Sequence, residues 1–142
     1  LVGSEMCIRD RWKTVTAITF FSTAASASAL PPLHENPTVL NGFYSIGLAD
    51  IVRKRCPTIE PRIFRAIGYL RSLERYALTQ GYTEADIDEL SDNKEEKKRL
   101  RAQIVADLAK RGATPETPEG YCTVGLEEIA KGSAAGRLLK AK

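Results

Sequence analysis

Apolar positions recur along this chain at helical spacing, not in strict alternation. After Asn36-Pro37, the residues Val39, Leu40, Phe43, Ile46, Leu48, Ile51 and Val52 run round most of a helix circumference. A helix that is apolar nearly all round belongs at the centre of a bundle. Asn36 is placed to cap it, and Pro37 sits where a missing N–H is harmless. Gly42 and Gly47 lower its propensity, which close packing against a neighbour would explain. It should end at Arg55, because Cys56 precedes Pro57 and a residue before proline is pushed out of the helical region.

The second helix is predicted to open at Thr58 or Glu60, with Pro61 in its first turn. Its apolar stripe is Ile63, Ala66, Ile67, Leu70, Leu73 and Ala77, with Arg62, Arg65, Ser72 and Arg75 towards other faces. Gly81 ends it as a left-handed cap with Tyr82 beyond, and Thr83 to Asp86 reads as a capping box for a short helix to Leu90. Ser91 or Asp92 starts the next, striped by Leu100, Ile104 and Leu108 and stopped at Lys110-Arg111-Gly112. After the loop ATPETPEG, Thr117-Pro118 caps a last helix that carries Cys122 on its first turn and stops at Gly132. Leu138 and Leu139 in the following tail can dock onto the core, and no segment alternates as a strand. The expected fold is all-α, a single compact bundle of about five helices.

The start of the chain follows a different pattern. Arg9, Arg11 and Lys13 form a basic flank, Val15 to Phe21 a short apolar run, and Ser22 to Ala29 a small-residue stretch ending Ala27-Ser28-Ala29. That is the pattern of a cleavable secretion signal, too short in its apolar part to span a bilayer. Residues 1–29 are therefore expected to be a signal peptide cut near Ala29, and residues 30–142 an exported, periplasmic helical domain. Leu1 to Arg11 also resemble adaptor sequence translated at the edge of an environmental read assembly, with Met6 as an alternative start. Cys7 falls outside the mature protein on either reading.

Removing Arg9, Arg11, Lys13, Glu5 and Asp10 with the leader leaves 18 basic and 16 acidic residues, a net charge of +2. So small a charge does not point to nucleic acid. Cys56 and Cys122 are the two cysteines that remain. In an exported chain an even cysteine count reads as a disulfide, which would tie the end of the first helix to the start of the last. Arg53, Lys54, Arg55 and Arg62 surround Cys56 in sequence and would acidify a free thiol, but no C-x-x-C partner stands nearby.

The remaining chemistry is sparse. His34 is the only histidine, so neither a zinc site nor a histidine-based nucleophile system is expected, and no cofactor is implied. Asp86 to Glu96 invites a calcium-loop reading, but Ser91 stands where that loop needs glycine and Lys97 where it needs glutamate. Asp50 lies in the apolar first helix and is expected to form a buried ion pair with Arg53 or an arginine of the second helix. Arg62, Arg65, Arg71 and Arg75 are candidates for a ligand or partner face.

The blocks LADIVRKRCP, RAIGYLRSLERYALTQGYTEADI and YCTVGLEEIAKGSAAGRLLKAK resemble a family of short exported proteins from marine-type proteobacteria, described only as a domain of unknown function. The resemblance runs from Leu33 to Lys142 and implies export and the Cys56–Cys122 pairing. It implies no activity. The expected function is thus that of a non-enzymatic periplasmic binding or scaffold protein acting on an envelope protein or component. The alternative is a cell-envelope hydrolase using Glu74 or Asp50 as its acid.

Overall fold

The computed structural model describes residues 29–142. The leader expected at residues 1–29, with Cys7 and Met6, lies outside the described residues save for Ala29. A 3₁₀ turn at Leu33–Glu35 leads into α1 (Pro37–Arg55), β1 (Ile59–Pro61), α2 (Ile63–Thr79), α3 (Glu84–Asp92), α4 (Lys94–Lys110), α5 (Glu119–Lys131), α6 (Ala134–Arg137) and β2 (Leu139–Ala141). Among the described residues, five substantial helices and one short one make the domain all-α, with a single two-stranded sheet added.

Helix α1 begins where its cap dictates. The Asn36 side chain accepts the N–H groups of Thr38 and Val39 at 3.1 and 3.2 Å. Over 19 residues α1 runs for about 28 Å through the middle of the molecule. It touches α2, α4, α5, α6 and β1, and its Val52 is fully buried. The two glycines explain how neighbours come so close. A Cβ at Gly42 would collide with the Leu73 side chain of α2, and one at Gly47 would stand 2.6 Å from Ile104 Cδ1 of α4. The main core gathers Leu48, Ile51 and Val52 of α1 with Ile104, Leu108, Val124 and Leu139. A smaller cluster of Leu33, Val39, Ala77 and Tyr82 seals the other end.

Three helices stop by one device. Gly81, Gly112 and Gly132 take positive φ of 97°, 81° and 61°. At each, the next N–H turns back to a carbonyl of the last turn: Tyr82 to Ala77, Ala113 to Leu108, Ser133 to Glu128. Glycine is the residue that reaches this conformation without Cβ strain. The capping box also forms, with Thr83 Oγ1 accepting from the Asp86 N–H and Asp86 Oδ2 accepting from the Thr83 N–H.

The departures have physical causes. Thr58 to Pro61 do not open α2. Ile59–Pro61 instead pairs antiparallel with Leu139–Ala141, in the register Ile59 with Ala141 and Pro61 with Leu139. Glu60 precedes a proline and so favours extended backbone, and the tail offers it a ladder. Pro61 lacks a donor but tolerates an edge position. Lys140 Nζ and Glu60 Oε2 meet across this pair at 3.0 Å. The tail residues Leu138 and Leu139 are buried, so the tail docks, but partly as a strand. Helix α4 is capped by Asn93, not Ser91 or Asp92, because α3 continues through Asp92 and the Asn93 side chain accepts the Glu96 N–H. Helix α5 starts after Pro118 without a side-chain cap, since Thr117 Oγ1 donates to the Gly112 carbonyl instead.

Within α2, Gly68 has no atom within 4 Å of where a Cβ would stand. Glycine mid-helix costs entropy with no packing return here. Gly68→Ala is expected to stabilise the domain by about 0.5–1 kcal/mol, measured as a rise in denaturant midpoint at unchanged slope.

Candidate functional site

The apolar stripe expected to bury α2 does so only in part, through Ala66, Leu73 and Ala77. Leu73 and Ala77 are buried against α1, but Ile63, Ile67 and Leu70 are 53, 44 and 46 % exposed, and Phe64 is 91 % exposed. Shifting the helix start to Ile63 gives the first turn to β1, and the N-terminal half of α2 packs through Ala66 and Tyr69 while Ile63, Phe64 and Ile67 face solvent. Phe64 lies off the stripe in sequence, which was the signal that it faces solvent. Leu70 continues this face into a groove. Two adjoining hollows of about 200 and 220 Å³ lie between α1, α2, α3 and α4 and share Val39, Phe43, Leu70, Leu90 and Ser91. Lys97 and Leu100 of α4 form the far lip of one, and Glu74 and Asp88 border the other.

The four candidate arginines are spread around α2. Arg71 and Arg75 are one turn apart, exposed, and next to the apolar face. Arg65 lies about 120° round the helix from Arg71 and lines a separate hollow with Tyr69, Arg137 and Leu138. Arg62 precedes the helix; its backbone N–H donates to the Leu138 carbonyl at 2.7 Å, and its Nε is buried without a partner among the described residues. Arg65, Arg71 and Arg75 make no ion pair with an acid among the described residues, whereas Arg53 and Arg99 each hold one and Arg111 two.

Asp50 does pair with Arg53, at 2.6 Å, and also with Lys54 at 2.7 Å. It is not buried as expected but about one-third exposed, because α1 turns this face to solvent near its C-terminal end. Partial burial raises its pKa, but the hydrogen bonds from Lys54 and Arg53 prevail and hold the carboxyl below its ordinary range. Cys56 Sγ and Cys122 Sγ lie at bonding distance, 2.00 Å, with Cys56 1 % exposed. A bonded sulfur offers no thiolate to the basic residues around it.

Sequence reasoning missed one polar cluster. Arg111, at the C-cap of α4, reaches Glu127 and Glu128 of α5, both at 2.8 Å. Ser133 Oγ donates to Glu128 Oε2 at 2.5 Å. Beside it, Tyr44 of α1 donates its hydroxyl to Asp107 Oδ2 at 3.0 Å, and Lys110 holds the other oxygen of Asp107 at 3.1 Å. Each carboxylate is matched by donors, so the cluster staples α1, α4 and α5. Its partners come from distant segments, and nothing in the local pattern joins them.

This staple gives stability a pH dependence. Burial, the hydrogen bond to Asp107 and the charge of Asp107 raise the Tyr44 pKa to about 12. A folded pKa above the unfolded value gives stability present below pH 10 and lost as pH climbs through 12. At the acid end the sign reverses. Glu128, lowered against the effect of burial by Ser133 and Arg111, contributes above the ordinary carboxylate range and loses that contribution as pH falls through its depressed pKa. A spectrophotometric titration should show one phenol ionising near pH 12, absent in Tyr44→Phe.

Among the described residues no helix is long and apolar enough to cross a membrane, and no three His, Cys, Asp or Glu side chains cluster to hold a metal ion. No curated protein and no solved structure matches the chain. One family model does, over residues 31–140, and it describes a family of unknown function, DUF5333. That match runs from before α1 into β2, with the groove and the disulfide inside it, and the chain belongs to this family.

Proposed function

We propose that this is a non-enzymatic binding protein of the periplasm that attaches to a component of the cell envelope through the outer face of α2. One observation carries the reading: Ile63, Ile67 and Leu70 form an exposed apolar strip on a single helix, with Phe64 exposed beside it and Arg71 and Arg75, without an ion pair among the described residues, at its border. Scattered apolar residues on a surface are ordinary, but a contiguous set on one helix face marks a contact site. The leader pattern of residues 1–29 and the Cys56–Cys122 disulfide support export.

Purified protein should be retained by envelope fractions. Ile67→Asp should abolish retention, and Val105→Asp, at an equally exposed position on α4, should leave it intact. Retention that survives Ile67→Asp overturns the reading. The alternative, a cell-envelope hydrolase, has one observation in its favour: Glu74 and Asp88 border the same hollow. Asp50 suits it less, because two cations hold that carboxyl ionised. Clearing of a cell-wall suspension that is lost in Glu74→Gln would decide for the hydrolase.

A further inference from the structure

We infer that the envelope component met by α2 is an anionic lipid surface, with Phe64 and Ile67 entering the headgroup region and Arg71 and Arg75 meeting lipid phosphates. The inference rests on the reading of α2 as the contact face and names its occupant.

Charge is the first argument. From Arg62 to Arg75 the chain carries Arg62, Arg65, Arg71 and Arg75 and one acid, Glu74, in a domain whose charges are otherwise well mixed. The arginines that follow the helix, Arg65, Arg71 and Arg75, are uncommitted to any acid among the described residues, although the fold pairs Arg53, Arg99 and Arg111. An excess of unpaired cations beside an apolar face is what an anionic surface attracts.

Shape is the second. Phe64 is almost wholly exposed on the first turn of α2, on the side away from Ala66 and Tyr69, which pack on the core. A protein partner would need a pocket cut for this ring, whereas a headgroup layer yields to a projecting aromatic without one. Arginine stems of this length can lie along apolar surface and still carry their charge to the phosphate level. The acids Glu74, next to Arg75, and Asp88 border the groove, and the turns of α2 before Arg71 carry no acid. That polarity directs the N-terminal half of α2, not the groove, towards a negative surface. A helix that lies on the bilayer in this way needs no spanning segment.

The test is co-sedimentation of the purified protein with vesicles of phosphatidylglycerol and phosphatidylcholine, against vesicles of phosphatidylcholine alone. Binding is expected to the first only and to weaken with added salt. Phe64→Ser should lower the partition about tenfold, and Arg71→Ala or Arg75→Ala about fivefold each. Val105→Ser, on α4, should bind as wild type. These side chains are exposed, so circular dichroism should show every variant folded. Binding to neither vesicle, or undiminished binding of Phe64→Ser, overturns the inference. If pure vesicles bind nothing while envelope fractions still retain wild type and release Ile67→Asp, the contact face stands and its partner is a protein. If retention also ignores Ile67→Asp, both readings fall.

Discussion

Replacing Cys56 and Cys122 together by alanine is expected to destabilise the domain by about 4 kcal/mol. The bond closes a loop of 66 residues, which contains all of α2, α3 and α4. Without it the unfolded chain regains the freedom that the loop had removed, while the folded state keeps its contacts. Against a total stability of about 5–15 kcal/mol for a small domain, that loss is a large share. Thermal unfolding should fall by roughly 15–25 °C, and dithiothreitol should have the same effect on wild type and none on the double variant. The change lies mainly in the unfolded state, so the two folded proteins should give superimposable circular dichroism. Equal midpoints for oxidised and reduced wild type would show that the link contributes nothing, and would remove a main support for maturation in an oxidising space.

Gly136→Ala is expected to cost about 3 kcal/mol or more, for a different reason. A Cβ there would collide with the carbonyl oxygen of Glu128 and stand 2.7 Å from the backbone nitrogen of Ile129. Both are main-chain atoms of the last turn of α5 and have no rotamer to escape into. The Glu128 carbonyl already accepts the Ser133 N–H at 3.3 Å, and Ser133 Oγ accepts the Gly136 N–H at 2.9 Å, so the junction is fixed from both sides. An added methyl must lift α6, and with it Leu138 and β2. The loss should therefore appear in denaturant midpoint and in faster exchange of the Arg62 amide, whose hydrogen bond to the Leu138 carbonyl holds the tail down. Gly68→Ala, the same chemical change at an open position, should go the other way. A Gly136→Ala midpoint within about 1 kcal/mol of wild type would mean that the junction yields more easily than its geometry allows.

What the sequence made legible was whatever short range decides. Asn36 and Pro37 start α1, Thr83 and Asp86 start α3, and Gly81, Gly112 and Gly132 each bend the chain out of a helix, because these residues act on atoms within five positions of themselves. The Cys56–Cys122 pairing was legible because only one partner remained for each cysteine of the mature chain. The pairing of Ile59 with Ala141 was not, since neither tripeptide alternates and the partner that completes the ladder lies about 80 residues away in the chain. The outer face of α2 was misjudged for a related reason. Helical spacing shows that Ile63, Ile67 and Leu70 share a side, but not whether anything covers it. The Arg111 staple needed the fold itself, which brings α4 and α5 alongside.

The small sheet bears on when this domain can fold. Ile59 finds its ladder only in residues that follow every helix, and the core stays open until Leu138 and Leu139 arrive. A nascent chain that has emerged only through α5 lacks that closing piece. Contacts of such long sequence separation also form late and slowly. A polypeptide built this way completes its core only once α6 and β2 have been synthesised.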